Sequence, residues 1–500
     1  MPEAVVIGAG LGGLASAIEL AASGLSVEVV ELGERAGGKA GIVTLDGVEA
    51  DTGPSVLTMP DVLEELFTLA GTRTADQLSL REPEPAFRYR YADGVVIDVH
   101  SDLSDTLQSI NHTLGAAACR DFAQFMAYSK RIWDAAAPHF VYGLAPTWGR
   151  MASLGLSELM SMRQVDPLRS MRAAIHKQVR SPHLRMLLER YATYNGSDPR
   201  SAPATLNCIS HVELALGGYG VEGGIHSVVR ALQRVADGLG VRFRFDSRVE
   251  RVLTENNRVV GVALEGGVVI PAEQVVANAD AAHVAADLLE DTVRHGIPDI
   301  TVPSMSGWTG ILRAAERTGD RARVAHEVLF PEDYMAEFTD IFDWDRPPRE
   351  PTVYLCSQRA CHGRRGWADG SEPVFAMANA PAEPTSGPRD ERVWSELEAT
   401  VLRRLSESGL KDADDAFVWT RTPSDLAARF PGSRGSIYGA ASNDRFAAFR
   451  RPTNRVRGVP GLYLASGSAH PGGGMPLALL SGRAAASVAL SDRGALRRSG

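Results

Sequence analysis

Three glycines near the start of the chain have the spacing of a nucleotide-binding turn. Gly8, Gly10 and Gly13 follow an apolar run at residues 5–7, which predicts a strand buried on both faces. In such a turn the first glycine permits the tight bend, the second lets the backbone approach a pyrophosphate, and the third lets the next helix pack against the strand, with its free N–H groups toward the phosphates. Glu31 follows Gly13 by eighteen residues, near the interval of about 20 at which a carboxylate reaches a ribose. The pattern predicts a dinucleotide site, the alternative being an incidental glycine turn.

Two further loops favour FAD over a nicotinamide dinucleotide. Gly37 and Gly38 precede Lys39 in a second glycine turn that carries a cation, and residues 51–55 read Asp-Thr-Gly-Pro-Ser. A nicotinamide-binding unit does not require these loops, whereas FAD needs more backbone contacts along its ribityl chain and ring. The sequence therefore predicts FAD as the cofactor.

The C-terminal end repeats the order of strand, glycine turn and helix. Residues 461–465 predict a strand, residues 466–476 a glycine-rich turn, and residues 477–490 a helix with many small side chains. A helix N-terminus directed at the pyrimidine edge of a flavin would stabilise the negative charge that the ring acquires on reduction. The alternative is an ordinary glycine-rich connector.

Length and composition exclude several classes of protein. The chain has 500 residues, enough for two or three domains, and its 52 Lys and Arg against 61 Asp and Glu give a net charge of −9, which argues against broad attraction to nucleic acid. The start of the chain lacks the basic region of a signal peptide, and glycines and Glu19 interrupt the apolar stretch 4–22, so we expect no spanning helix there. The four cysteines include no Cys-x-x-Cys pair, and we expect reduced thiols in a cytosolic protein: Cys119, Cys208, Cys356 and Cys361.

The distribution of strand patterns predicts an α/β fold with a discontinuous nucleotide-binding domain. Residues 241–245, a hairpin at 259–270 and the run 275–280 fit a nucleotide domain interrupted by long insertions. We assign residues 1–70, 222–290 and 455–491 to a Rossmann-like FAD-binding domain. Residues 71–221 and 291–454 are assigned to a discontinuous α+β substrate domain.

Taken together, these motifs resemble the bacterial phytoene-desaturase-type flavoenzymes over essentially the whole chain. The general resemblance rests on Gly8 to Gly13 with Glu31, and on residues 37–39, 51–54, 276–280 and 470–476. A narrower similarity to the carotenoid 3,4-desaturases, also called hydroxyneurosporene or methoxyneurosporene dehydrogenases, rests on residues 193–199, 202–207, 211–213, 223–224, 326–338, 379–382 and 435–439. The resemblance implies an FAD-binding domain of the glutathione-reductase or amine-oxidase type.

The resemblance also implies which residues contact FAD. These are Gly8, Gly10, Leu11, Gly12, Gly13, Glu31, Lys39, Gly53, Pro54, Ser55, Val249, Gly467, Gly474 and Met475. Lys39 departs from the arginine that is commoner at its place in the family, which keeps the charge but loses the bidentate fork.

The implied reaction removes two hydrogens from an acyclic C40 polyene, by 3,4-desaturation of a 1-hydroxy- or 1-methoxy-carotenoid, with hydride transfer to the flavin and loss of a proton. Such chemistry makes few polar demands, because positioning in an apolar tunnel does most of the work. His211 and Glu213 are candidates for a general base, since they lie two apart before a glycine turn; the alternative is that both are structural polar residues at the domain junction. No metal site is expected at Cys356, Cys361 and His362, whose spacing is wrong and whose fourth ligand is missing.

One region combines methionines and aromatic residues with arginines. Its methionines are Met126, Met151, Met160, Met162 and Met171. They could line a polyene channel or enter a bilayer beside arginines that meet anionic headgroups, and core packing with a solvated charged face explains them equally well. We expect a cytoplasmic enzyme, peripherally associated with the inner face of the membrane, that passes electrons to oxygen or a quinone.

Two other functions remain open at this point. One is a carotene isomerase, oxidase or ketolase that uses the same cofactor, and the other is a non-catalytic escort for prenyl lipids. Product mass separates a desaturase from an isomerase, because only the desaturase removes two hydrogens.

Overall fold

The computed structural model describes residues 1–147, 149, 155, 162–291, 293–298 and 302–499. Its strands are β1 (Ala4–Ile7), β2 (Val27–Val30), β3 (Ile42–Leu45), β4 (Val48–Asp51), β5 (Leu80–Arg81), β6 (Phe87–Arg90), β7 (Val96–Val99), β8 (Gly220–Val221), β9 (Arg242–Arg244), β10 (Val249–Glu255), β11 (Arg258–Leu264), β12 (Val269–Pro271), β13 (Gln274–Ala277), β14 (Ser306–Ala314), β15 (His326–Leu329), β16 (Val353–Ser357), β17 (Glu372–Ala380), β18 (Ala416–Arg421) and β19 (Leu462–Leu464). Its α-helices are α1 (Leu11–Ala22), α2 (Asp61–Leu69), α3 (Thr74–Gln77), α4 (Leu103–Leu114), α5 (Ala116–Ala136), α6 (Met171–Gln178), α7 (Pro182–Glu189), α8 (Cys208–Leu214), α9 (His226–Gly238), α10 (Ala281–His283), α11 (Tyr334–Phe338), α12 (Gln358–His362), α13 (Glu391–Glu407), α14 (Pro423–Arg429), α15 (Ala447–Arg450) and α16 (Met475–Ser499).

A five-stranded parallel sheet carries the predicted nucleotide motifs. Its order is β19-β13-β1-β2-β9, so that Val6 of the central strand lies between Val276 and Val29. The short runs at β1, β2 and β13 are buried along their whole length because helices cover both faces. All five strands come from the segments predicted to form the FAD-binding domain, and the predicted hairpin is confirmed as β11 and β12.

Small residues bring the two ends of the chain together. Helix α1 packs against α16 so closely that a Cβ on Gly482 would lie 2.1 Å from the carbonyl oxygen of Gly12. Helix α1 ends before Gly24, whose φ of +87° is the left-handed conformation predicted for its cap. The predicted C-terminal helix is confirmed but is longer, since it begins at Met475 and continues to Ser499.

A seven-stranded sheet forms a second layer, with the order β18-β14-β17-β16-β15-β6-β7. Its strands pair antiparallel except for β15 and β6, which run parallel. Helix α13 covers one part of it with Trp394, Leu397, Val401 and Leu405, all buried. These strands all come from the segments predicted as the substrate domain, whose boundaries stay a prediction.

Helices α4 to α8 enclose a third core beside β6 and β15. Phe122, Phe125, Met126 and Met171 are buried there, which favours core packing for these two methionines. Met151 and Met160 lie outside the described residues. No helix in the described part of the chain is long and apolar enough to cross a membrane.

Candidate functional site

The first glycine turn is built around Asn278, which follows β13. Gly8 has a φ of +91°, and a Cβ on Gly13 would lie 2.0 Å from the carbonyl oxygen of Gly8, as expected for the tight bend and the close packing of helix on strand. A Cβ on Gly10 would lie 2.6 Å from Asn278 Oδ1. Only glycine fits at these three places.

Glu31 holds this turn through the backbone. Its Oε2 accepts the Ala9 N–H at 2.6 Å, and its Oε1 accepts the Gly33 N–H at 2.8 Å. An ionised carboxylate has about four acceptor positions, so each oxygen keeps a lone pair for a ribose hydroxyl.

The N-terminus of α1 has donors that the rest of the described chain leaves uncapped. Gly10 is its N-cap residue, no side chain caps it among the described residues, and its first turn contains no acidic residue. Leu11, Gly12 and Gly13 are buried. Buried N–H groups at a helix N-terminus form a natural binding site for a phosphate group.

The second glycine turn approaches the first. Gly37 and Gly38 have φ values of +136° and +56°, and Gly37 bridges to Gly10. Lys39 extends from this turn to the distant loop at residues 436–437, where Nζ donates to the carbonyl oxygens of Ser436 at 3.0 Å and Ile437 at 2.9 Å. Burial lowers the pKa of Lys39.

The third loop and the C-terminal turn complete this side of the site. A Cβ on Gly53 would lie 2.1 Å from the carbonyl oxygen of Lys39, so the loop with Pro54 and Ser55 lies directly against the second turn. Gly467 lies against Gly473, and Gly474, with a φ of +100°, leads into Met475 at the start of α16. Asn278 Nδ2 also donates to the carbonyl oxygen of Ala465, which joins the C-terminal turn to the first one.

Val249 is the one predicted contact residue on the small antiparallel sheet. It is buried in β10, where it pairs with Leu264. It packs in the apolar cluster that also holds Ile7 and Val30, at the ends of β1 and β2.

Aromatic side chains enclose Arg190 in the adjoining part of the second layer. Its guanidinium carbon lies 5.1 Å from the ring centre of Tyr194, 5.7 Å from those of Tyr89 and Phe87, and 5.8 Å from that of Tyr354. Arg190 Nη1 also donates to the hydroxyls of Tyr89 and Tyr194 at 3.3 Å. We call Tyr89, Phe87, Tyr194, Tyr354 and Arg190 the aromatic cage.

Glu213 lies at this cage, whereas His211 does not. Glu213 accepts hydrogen bonds from the hydroxyls of Tyr191 and Tyr194. Side chains two positions apart on a helix lie on nearly opposite faces. His211 accordingly packs toward α5, near Lys130 and Asp134. Burial, with a smaller effect of Lys130, lowers the pKa of His211. The structure therefore does not bring the two candidate bases together.

Residues 11–306 match the family model described as flavin containing amine oxidoreductase. The chain belongs to the flavin-containing amine oxidoreductase family. A hydroxyneurosporene desaturase from Rubrivivax gelatinosus is 35% identical over 99% of this chain and 94% of its own. A 4,4'-diapolycopene oxygenase from Methylomonas sp is 33% identical over 96% of each chain, and a carotenoid 3,4-desaturase from Haloarcula japonica is 30% identical over 98% of each.

The fold is that of solved amine oxidoreductases. Cyclohexylamine oxidase from Brevibacterium oxydans IH-35A superimposes with a TM-score of 0.61 at 15% identity and covers 99% of both chains. The predicted fold class and the oxidoreductase class are both confirmed. The cofactor of this flavoprotein is FAD.

Buried cations show how this flavoprotein suits an anionic cofactor. Arg421 Nη2 donates to the carbonyl oxygen of Thr52, and its buried Nε has no partner among the described residues. Arg451 donates to three carbonyl oxygens, those of Tyr438, Ala440 and Gly467. Burial lowers the pKa of each arginine to about 10. The uncapped helix, the orphaned Nε and the glycine turns together fit FAD, whose diphosphate is anionic.

Sequence reasoning missed the cage and these arginines. Arg190, Tyr354, Arg421 and Arg451 carry no motif, and they lie far apart in sequence within the two segments 71–221 and 291–454. Lys39, which was predicted to contact FAD, uses two of its three N–H donors in hydrogen bonds to backbone carbonyl oxygens. Hydrophobic periodicity places such residues on an element but does not say which distant element faces them.

We expect Glu31→Gln to weaken FAD binding. The amide nitrogen of glutamine would face one of the two backbone N–H donors, and losing a hydrogen bond to a charged group costs about 1.5–3 kcal/mol, or roughly 10- to 150-fold in Kd. Titration of apoprotein with FAD, followed by quenching of flavin fluorescence, measures the change. Glu34→Gln is the matched control, since among the described residues that exposed side chain pairs only with Arg35. Equal Kd values for the two variants would contradict the role of Glu31.

Proposed function

We propose that this chain catalyses FAD-dependent 3,4-desaturation of an acyclic C40 carotenoid that carries a 1-hydroxy or 1-methoxy group. The observation that carries the proposal is similarity over nearly the whole chain to a hydroxyneurosporene desaturase, in a chain that keeps the FAD turns. The bound flavin would accept a hydride from the substrate, and a proton would leave the neighbouring carbon.

The residues of this chain supply position and exclusion of water. Tyr89 is fully buried and Phe87 is 1% exposed, so the cage presents ring faces rather than hydrated groups. A polyene held against such rings has few orientations available, and this restriction would supply most of the rate enhancement of the hydride transfer. The hydroxyls of Tyr89 and Tyr194 offer polar contacts within this apolar wall.

The oxygenase relative from Methylomonas makes oxygen insertion the competing reaction. It is 33% identical to this chain, between the 35% and 30% of the two desaturases, and the fold does not distinguish the two reactions. An escort without catalysis is disfavoured because the turns and buried donors of the FAD site are intact.

Anaerobic incubation of FAD-loaded protein with liposomal 1-hydroxyneurosporene tests the function. We expect the flavin absorption to bleach while the polyene absorption shifts to the red, with one product two mass units lighter than the substrate. Neurosporene without the hydroxyl is the matched substrate, and it is expected to react more slowly.

Other products would overturn the proposal. A product of unchanged mass indicates an isomerase, and a product that gains oxygen only when air is admitted indicates an oxygenase. A flavin that never bleaches with any acyclic carotene would leave the isomerase or the escort.

We propose that Glu213 acts by positioning the two tyrosines and not as the base. Both of its oxygens already accept tyrosine hydroxyls, and it is 4% exposed. Burial raises the pKa values of Tyr191 and Tyr194, so both hydroxyls remain protonated as donors at neutral pH.

Glu213→Gln is expected to slow flavin reduction by about 10- to 100-fold, the cost of weakening hydrogen bonds to a charged group. Tyr194→Phe should also slow flavin reduction. The double variant should raise the activation free energy by less than the sum of the two single variants, because the residues share one network. His211→Gln is the control on the other face of α8 and should leave the rate within about twofold. The pH profile of the rate of flavin reduction should keep its shape in Glu213→Gln. If the fall in rate at acid pH disappeared in this variant, Glu213 would be the base.

We also propose that the enzyme works at the cytoplasmic face of the membrane and passes electrons to oxygen or a quinone. A carotenoid substrate resides in lipid, and Tyr142, Leu144 and Phe446 are between 38% and 43% exposed. An edge contact between Phe140 and Phe449, with ring centres 6.1 Å apart, joins their two segments into one apolar patch.

Sedimentation with carotenoid-free anionic liposomes tests this patch. The double variant Leu144→Glu and Phe446→Glu is expected to release the protein, because each carboxylate would have to leave water to enter the lipid interface. Trp344→Glu is the control, since Trp344 is 66% exposed and lies outside the patch. Binding that is the same in all three proteins would contradict the membrane contact.

Reoxidation of reduced enzyme by a water-soluble quinone without air distinguishes the two acceptors.

A further inference from the structure

Three soft donor groups meet in the interior of the second layer. His326, Cys356 and Cys361 are at most 1% exposed, and their donor atoms all lie within 4.8 Å of one another. His326 and Cys356 are paired directly across β15 and β16, so their side chains share one face of the sheet. Cys361 comes from α12, the helix that follows β16.

Neighbouring groups fix the orientation of the imidazole. The His326 ring stacks on Phe87 with ring centres 4.6 Å apart and on Tyr354 at 5.9 Å. Nδ1 makes a hydrogen bond of 2.8 Å with the Tyr354 hydroxyl, and Nε2 faces Cys361 Sγ at 3.4 Å. A histidine that binds a metal is characteristically held in this way, by a hydrogen bond from its other ring nitrogen.

We propose that His326, Cys356 and Cys361 form a binding site for a thiophilic divalent cation, with Zn²⁺ as the natural example. Zinc–sulfur bonds of about 2.3 Å and zinc–nitrogen bonds of about 2.0 Å separate tetrahedral donors by roughly 3.5 Å, in keeping with the observed cluster. Binding displaces the two thiol protons to solvent, and the charge of the ion is cancelled by two thiolates beside a neutral imidazole. The site therefore adds no net charge to an apolar interior.

The surroundings favour a closed metal site over a surface cluster. Ile311, Trp367 and Phe375 belong to the apolar cluster around the two thiols. Cys361 Sγ also donates to the carbonyl oxygen of Ser55 at 3.8 Å, which ties the cluster to the loop that contains Ser55. Such an ion would join β15, β16 and α12 to the predicted FAD loop.

Chain spacing could not reveal this cluster. The sequence offered His362 as the third ligand, but the Nδ1 of that residue instead accepts the backbone N–H of Val221 at 3.1 Å. The imidazole that completes the group is His326, thirty residues before Cys356, and only the pairing of β15 with β16 brings it there.

Cobalt substitution tests the site in the reduced, FAD-loaded protein. After chelator dialysis, one equivalent of Co²⁺ is expected to produce visible bands of tetrahedral cobalt–thiolate coordination at wavelengths longer than flavin absorption. Zn²⁺ should then abolish these bands. Cys356→Ser and His326→Gln should lose them, whereas Cys208→Ser, the matched control on α8, should keep them.

Several results would overturn the proposal. The first is an absence of tetrahedral bands in wild-type protein whose two thiols are shown by alkylation to be reduced. This result depends on no variant. A disulfide between Cys356 and Cys361 that forms in air as fast with added Zn²⁺ as without it would also overturn the proposal. Bands that survive in Cys356→Ser or disappear in Cys208→Ser would place the cobalt elsewhere. FAD content, measured on each variant, separates a lost site from a lost fold.

Discussion

One buried carboxylate joins the cofactor side of the molecule to the substrate side. Asp51, at the end of β4, accepts the N–H groups of Ile225 and His226 at 3.0 Å, where α9 begins. The same carboxylate accepts Arg364 Nη2 at 3.1 Å, and both side chains of this ion pair are at most 6% exposed. Removing one partner of such a pair costs about 3–5 kcal/mol, because the other charge is left in a dry interior. Three segments separated by more than a hundred residues are fixed by this one group.

The same junction explains why residue 224 is a glycine. A Cβ on Gly224 would lie 2.2 Å from both Asp51 Oδ2 and Arg364 Nη2, and its φ is +98°. The loop must therefore pass the ion pair without a side chain before α9 can present its N–H groups. Asn278 has a similar role at the end of β13, where it lies against the four glycines of the first turn and donates to the carbonyl oxygen of Ala465. Two polar residues, Asp51 and Asn278, thus hold the FAD turns together.

Local patterns predicted the cofactor side well and the substrate side only in outline. Residues 5–31 form a unit in which strand, turn, helix and acid follow one another, so short-range spacing is sufficient to define it. The C-terminal turn was predicted for the same reason, although its packing against α1 depends on Gly12 and Gly482, which lie 470 residues apart in sequence. The aromatic cage and the His326 cluster depend on strand pairing in a sheet whose neighbours are not consecutive, and periodicity gives no register for such pairs. His211 and Glu213 show a different failure: their spacing in sequence is short, but a helix directs them to opposite faces.

The arrangement of charge in the cage has a consequence for an apolar substrate. Glu213 does not form a direct ion pair with Arg190; tyrosine hydroxyls lie between them, donating to the carboxylate and accepting from the guanidinium. The ring faces stabilise the cation in place of water, and the opposite charges balance through a neutral layer of phenols. Because those phenols have raised pKa values, the layer stays neutral at neutral pH. A long polyene could then lie along ring faces without desolvating a bare charge, while a single hydroxyl on its end would find a donor or an acceptor at a fixed place. Such a site would favour a hydroxylated carotenoid over an unsubstituted one, because the unsubstituted chain would leave a polar group of the site without a partner.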